Sequence, residues 1–334
     1  MTTPTLYLHA LGHFHPEEVI DNAFLESLDI GTNDEWILER VGIRARRTVL
    51  PLDYLRATKN KDPRAAQEAA RYTNAETGAR AARVALERAG LKPSDVGMVI
   101  AGGCAPDWSI PAEACAIAAE LGIEAPALDV GSACSSFGAQ LHLLRSMTEL
   151  PPYVLCVSAE NTTRVVDYSD RATAVLWGDG TSAAIVSNTV PARARVTRTT
   201  LASSPGAFKA VTIPRYGHFT QDGSAVQRFA IKTTAACLDA LLPEARARVA
   251  KTGGAARFVG HQANLLVLEN VARRAGLEAG EHWHNVETFG NTGAAGAPGV
   301  LSQRWDELRP GDSVIVVVVG SGLTWASMHI EIEA

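Results

Sequence analysis

The chain has no cysteine pair at metal-binding or redox-motif spacing. Its five cysteines, Cys104, Cys115, Cys134, Cys156 and Cys237, are odd in number and widely scattered. That argues against a disulfide framework and a zinc knuckle, and no metal site is expected. A reducing cytoplasm fits best, and there a cysteine is either structural or catalytic. Long apolar runs are missing too: the longest, 314–319, is far too short to span a bilayer. Met1-Thr2-Thr3-Pro4 holds no basic stretch followed by an apolar run, so no signal peptide is read there. Nor is positive charge in excess. With 31 Lys and Arg against 36 Asp and Glu, the formal net charge is -5. Neither nucleic acid nor an anionic membrane surface is an expected partner, and patches such as Arg44-Ala45-Arg46-Arg47 are too short to alter that.

What remains is the composition of an ordinary globular protein, 334 residues with 46% hydrophobic and 20% charged. That length suits one large α/β unit or two domains around a sizeable core. Runs rich in β-branched residues predict strands over 6–11, 96–102, 127–130, 154–158, 182–187, 194–201, 257–260, 313–319 and 326–332. Helical spacing predicts helices over 16–27, 35–41, 65–89, 112–121, 135–150, 230–242, 265–275 and 297–307. Val314-Ile315-Val316-Val317-Val318-Val319 is continuously apolar, the pattern of a strand covered on both faces. Alternation of this kind implies α/β layers. The polar stretch 52–72 reads as a solvated connector or a partly helical excursion. A weak symmetry repeats strand, polar turn and helix near Cys134 and again near His261. It suggests two similar halves, 1–188 and 189–334, divided near Asn188-Thr189-Val190-Pro191.

Cys134 stands at the sharpest local signal. Leu128-Asp129-Val130-Gly131-Ser132-Ala133-Cys134 reads as a short strand and a tight small-residue turn, after which Phe137, Leu141, Leu144 and Met147 recur at helical spacing. A thiol at a helix start meets unpaired N–H groups and the positive end of the helix dipole, both of which favour thiolate. The bland reading of such a cysteine is a small buried hydrophobe. Three further turns carry chemistry-bearing residues. Gly260-His261-Gln262-Ala263-Asn264 ends a short apolar strand, Phe289-Gly290-Asn291-Thr292-Gly293 precedes a helix, and Gly320-Ser321-Gly322-Leu323-Thr324-Trp325 joins two strong strands. Singly, each has a structural explanation: a satisfied histidine, an N-cap, a hairpin turn. Together, Cys, His and Asn on three turns are the ingredients of acyl transfer through a thioester.

At this point the chain resembles the β-ketoacyl-acyl carrier protein synthase III group. Asp129-Val130-Gly131-Ser132-Ala133-Cys134-Ser135, His261-Gln262-Ala263-Asn264 and Gly290-Asn291-Thr292 are similar to its Cys–His–Asn signatures, in the same order. The segment 33–44, with Trp36 and Arg40, resembles its early tryptophan–arginine helix. Trp177-Gly178-Asp179-Gly180 resembles its Gly-Asp-Gly segment, and 320–325 its closing glycine turn. The resemblance spans nearly the whole chain. It implies an α/β thiolase fold, two similar halves forming a five-layered αβαβα sandwich, and a homodimer. It also implies roles. Cys134 would accept an acyl group from acyl-CoA or an acyl carrier protein, with the Cys134 N–H and the turn at Gly322 as oxyanion hole. His261 Nε2 and Asn291 would stabilise the enolate formed when a malonyl thioester loses CO2. Trp36, Arg40, Arg171 and Asn264 would hold the nucleotide and pantetheine arm of CoA. The thioesters are substrates, and no permanently bound cofactor is implied.

Some positions depart from the family pattern. Val41 replaces a usual threonine, Ser224 and Gln227 fall where the pantetheine channel usually has Asn and Phe, and Leu266 stands where an arginine usually meets the carrier protein. Segment 52–73 is also longer than the family's linker. These changes touch channel and partner recognition while the Cys–His–Asn set is intact, which suggests a specialised, secondary-metabolite relative. An acyltransferase to an O, N or S nucleophile is the alternative, although relatives of that sort often change the Asn. A silent partner subunit would usually lose the nucleophile. A degradative thiolase would carry a second cysteine in 320–325, where there is none.

Overall fold

A computed structural model describes residues 5–278 and 280–333. Nine strands make one hydrogen-bonded sheet: β1 (Leu6–Phe14), β2 (Met98–Ala101), β3 (Ala127–Asp129), β4 (Val154–Glu160), β5 (Gly180–Ser187), β6 (Ala194–Ser203), β7 (Ala256–Gly260), β8 (Ser313–Gly320) and β9 (Thr324–Ile332). All nine predicted strands are present, with ends moved by a few residues. The long helices are α1 (Asn74–Ala89), α2 (Glu113–Leu121), α3 (Ser136–Ser146), α4 (Gly223–Thr252), α5 (Leu265–Arg274) and α6 (Gly296–Gln303). Among the described residues no helix is long and apolar enough to cross a membrane.

The strand order is a repeat. In the first half it runs β3-β2-β4-β5-β1, parallel from β3 to β4 and antiparallel from β4 to β1. In the second it runs β7-β8-β9-β6, parallel then antiparallel, and an isolated parallel bridge of Phe258 with His282 stands where the first half has β3. The halves join where β1 pairs antiparallel with β6, from Leu6 opposite Val196 to Leu8 opposite Ala194. Strands β4, β5 and β8 are buried along their whole length, as strands covered on both faces must be.

What covers them makes five layers. Helices α1 and α2 pack on the outer face of the first half, and α4 on that of the second, with α5 beside it. Between the halves lie α3, which touches β4, β1, β6 and β9, and α6, which touches β1, β5 and β7. The central layer is tight. A Cβ on Gly138 of α3 would come within 2.4 Å of Ala326 Cβ and 2.9 Å of Val318 Cγ2, so only glycine lets this helix approach the second half.

Local chemistry explains where the sequence reading fails. Residues 16–27 are not one helix: Glu18–Asp21 is a strand paired with Ala45–Thr48, and the helix begins at Asn22 because the Asp21 carboxylate accepts the Phe24 N–H. The expected helix over 65–89 is two, Pro63–Ala69 and α1, separated by a capping box of Thr73 and Glu76. Helix α4 overruns its expected bounds in both directions, from a cap at Asp222 to a left-handed Gly253, and continues through Pro243. The stretch 52–72 is the partly helical excursion of the two readings. It forms two short helices, and buried Asn60 donates from Nδ2 to the carbonyls of Thr163, Arg164 and Val166. Arg46, read as part of a short positive patch, is fully buried and donates to Asn22 Oδ1 and the Val175 carbonyl.

Gly138→Val is expected to destabilise the protein by about 1–3 kcal/mol, the usual cost of overpacking a filled core. A lower denaturant midpoint at unchanged m-value would show it.

Candidate active site

The turn after β3 is held by its own small side chains. Ser135 and Ser136 hydroxyls donate to the carbonyls of Ser132 and Ala133, and the Ser132 N–H donates to Ser136 Oγ. Ala133 takes φ +46°, a left-handed conformation that a non-glycine residue rarely adopts. Helix α3 then starts at Ser136 with no side-chain cap, so its first turn keeps N–H groups beside Cys134. From the other half, Gly320 at the end of β8 lies flat on this turn. A Cβ there would stand 2.8 Å from the Ser135 nitrogen and 3.1 Å from the Cys134 nitrogen.

Cys134 lies at the inner end of a cavity of about 470 Å³ that His261 and Asn291 also line. The thiol is held well below its ordinary pKa. The largest cause is a hydrogen bond from the Cys104 thiol, whose Sγ is 3.5 Å away; the charge and hydrogen bond of His261 add to it, against the opposing effect of burial. His261 follows β7. Its loop is fixed by the buried Gln262, which donates to the Gly260 carbonyl and accepts the Asn285 N–H. Asn291 is fixed by backbone bonds to Leu176 and Gly178, and its Oδ1 accepts the Gly293 N–H at 3.0 Å. That leaves the Nδ2 donor for a ligand in the cavity.

The mouth of the same cavity holds Trp36, Arg40, Arg171 and Asn264. The Arg40 and Arg171 guanidinium groups stand 4.6 and 4.9 Å from the Trp36 ring centroid, a stack of cations on an indole. Asn264 caps α5 and donates to the Arg40 carbonyl, so its side chain joins that helix to the tryptophan helix. Gly322 does not line the cavity, although its neighbours Ser321 and Leu323 do. Val41 and Gln227 line it as well, whereas Ser224 turns its hydroxyl to Asp222 and Leu266 is exposed.

Comparison with known proteins agrees with this arrangement. Two family models match: 3-oxoacyl-[acyl-carrier-protein] synthase III over residues 128–205 and its C-terminal part over 249–332. The chain is 31% identical to the β-ketoacyl-[acyl-carrier-protein] synthase III of Oceanobacillus iheyensis, with 96% of each covered. It belongs to the β-ketoacyl-[acyl-carrier-protein] synthase III family. The synthase III of Sulfurovum sp. is 30% identical over 95% of this chain and 93% of its own. Among solved structures, the synthase III of Pseudomonas aeruginosa superposes with a TM-score of 0.82 at 27% identity, covering 99% of both chains. The priming β-ketosynthase of the R1128 polyketide pathway gives 0.80 at 25%, covering 99% of this chain and 97% of its own. The fold is therefore the thiolase fold.

Two residues beside this cavity escape sequence reasoning. Glu160, at the end of β4, is fully buried; it accepts the Cys104 N–H with both oxygens at 3.1 Å and the Ala294 N–H at 2.8 Å. It thereby ties the Asn291 loop to the cysteine pair. Burial, with the nearby Cys134 charge, raises its pKa to about 7. A carboxylate closing a run of buried strand residues was its one signal. Cys104 had none, since its strand end looks like any other.

The rate of Cys134 alkylation by iodoacetamide is expected to rise with pH through a midpoint below that of an ordinary thiol. In His261→Ala the midpoint moves to higher pH, because one of the groups that favour the thiolate is gone. Equal midpoints in the two proteins would contradict this electrostatic account.

Proposed function

We propose that this chain is a decarboxylative condensing enzyme that takes its acyl group from a thioester onto Cys134. The carrying observation is one cavity with the depressed thiol at its inner end, a His–Asn donor pair beside it and an Arg–Trp–Arg stack at its mouth. Thiolate attacks the acyl-thioester carbonyl, the Cys134 N–H and a backbone N–H of the Gly320–Leu323 turn hold the oxyanion, and the CoA or carrier thiolate leaves. A malonyl-type thioester then enters. Its carbonyl accepts from His261 Nε2 and Asn291 Nδ2, so losing CO2 leaves a stabilised enolate. The enolate carbon attacks the acyl-cysteine, and the β-ketoacyl thioester departs as Cys134 regains its thiolate. No strong base is needed, because decarboxylation supplies the carbanion. No resident cofactor or metal enters these steps.

The reading extends to partners. Trp36 would stack on the adenine, Arg40 and Arg171 would meet phosphate, and Asn264 would border the pantetheine arm. An acyl carrier protein is the second partner, the working unit is a homodimer in the cytoplasm, and the halves 1–188 and 189–334 are its repeats. Leu266 and the altered channel residues favour a specialised pathway over primary fatty acid synthesis. The acyltransferase alternative is weaker because Asn291, an enolate stabiliser that such enzymes often change, is retained.

Intact-protein mass after incubation with a panel of acyl-CoAs tests the donor step. An acyl adduct is expected on the wild type and none on Cys134→Ala; labelling of the variant would overturn the assignment of the nucleophile. Trp36→Ala is expected to raise KM for the CoA thioester about 5- to 30-fold, equivalent to roughly 1–2 kcal/mol, with kcat nearly unchanged.

A further inference from the structure

The reaction uses one thiol, yet two are in contact. Cys104 and Cys134 sit on loops that leave adjacent parallel strands, β2 and β3, where Ala101 pairs with Asp129. Their sulfurs are 3.5 Å apart, so a bond of about 2.05 Å requires an approach of only about 1.5 Å. The two are chemically unequal. Cys134 is the anionic member, supported by His261; Cys104 stays a thiol because it donates to Cys134 and lies against the Glu160 carboxylate. An exposed path also exists, since the cavity that opens past Trp36 reaches Cys134. The pair thus has an accessible nucleophile, a neighbouring thiol and a carboxylate beside that thiol.

We propose that Cys104 and Cys134 form a peroxide-modified site, in which Cys104 is the resolving thiol that captures oxidised Cys134 as a reversible disulfide. The inference rests on Cys134 being the reactive thiolate of the function proposed above. In the first step the Cys134 thiolate attacks the outer oxygen of a hydroperoxide. The O–O bond breaks, the alkoxide or hydroxide leaves and takes a proton from solvent to become the alcohol or water, and Cys134 becomes the sulfenic acid. In the second step Cys104 gives its proton to Glu160 and attacks the Cys134 sulfur. The S–O bond breaks, and the departing hydroxide takes that proton and leaves as water. Two thiols are oxidised by two electrons and one hydroperoxide is reduced. A dithiol reductant reverses the change by thiol–disulfide exchange. An acyl group on Cys134 occupies the attacking sulfur, so a loaded enzyme is protected.

The oxidised state holds the site inactive without losing it. Without Cys104 the sulfenic acid is free to pass to sulfinic and sulfonic acids, which ordinary thiols do not reduce.

The experiment exposes full-length protein, empty or pre-loaded with an acyl-CoA, to hydrogen peroxide, followed by dithiothreitol. Intact mass, peptide mapping and acyl-CoA labelling are read at each stage. Expected for the empty wild type are a loss of two hydrogens mapped to a Cys104–Cys134 crosslink, loss of labelling, and its near-complete return with dithiothreitol. Cys104→Ser should instead gain oxygen atoms at Cys134 and recover only a small fraction of its own untreated labelling. Oxygen addition at Cys134 without the crosslink in the wild type, or a crosslink mapped to another pair, would overturn the proposal. The mapping needs no variant, so a Cys104→Ser protein that fails to fold leaves the test intact. A crosslink with no labelling by any acyl-CoA would sink the function reading alone, and labelling with no crosslink would sink this one alone.

Discussion

The structure depends on the contact between Gly320, at the end of a strand in one half, and the backbone of the Ser132–Ser135 turn in the other. A side chain at position 320 would reach into the nitrogen atoms of Cys134 and Ser135. That approach is possible only if the two halves meet through a thin central layer, which Gly138 permits by letting α3 lie on Val318 and Ala326. The turn contributes the other part of the constraint. Its serine hydroxyls hold Ala133 in a left-handed conformation, and the following thiol is pushed out at an uncapped helix start. Packing between halves and backbone strain within one of them therefore set the place of the Cys134 sulfur.

The repeat assigns the remaining groups. Both halves have the same strand order and the same parallel-to-antiparallel change. Cys134 follows β3, and its counterpart position follows the His282 bridge, where the chain leads to Asn291 and α6. His261 follows β7, and the matching position in the first half, after β2, leads to Cys104. The resemblance between the segments around Cys134 and His261 thus compares non-equivalent turns. The equivalent pairs are Cys134 with Asn291 and His261 with Cys104. Three of these turns bring Cys134, His261 and Asn291 to one cavity, and the fourth sets Cys104 against Cys134. Glu160 links the first half's second turn to the Asn291 loop through the Cys104 and Ala294 N–H groups.

Much of this was legible in the sequence, for physical reasons. Strands covered on both faces must be apolar along their length, as Val314 to Val319 is, and such runs stand out. The Cys134, His261 and Asn291 turns are marked by small residues because backbone must approach closely there. What escaped depends on contacts distant in sequence. Asn60 looks like an ordinary loop residue until three carbonyls of the 163–166 turn surround it. Arg46 looks like surface charge until Asn22 and Val175 accept its hydrogens. Thr73 and Asp21 carry local capping signals, yet helical spacing ran across both and hid them. Cys104 is the strongest case, since only folding brings it against Cys134.

The central claim is that the acyl-cysteine is used to make a carbon–carbon bond. A single-turnover measurement with acyl-loaded protein and a malonyl thioester labelled in its carboxyl carbon tests it most directly. The account predicts one labelled CO2 released for each acyl group lost from Cys134, with a β-ketoacyl thioester as product. Loss of the acyl group to an oxygen, nitrogen or sulfur nucleophile, with no labelled CO2 from any malonyl thioester, would contradict it.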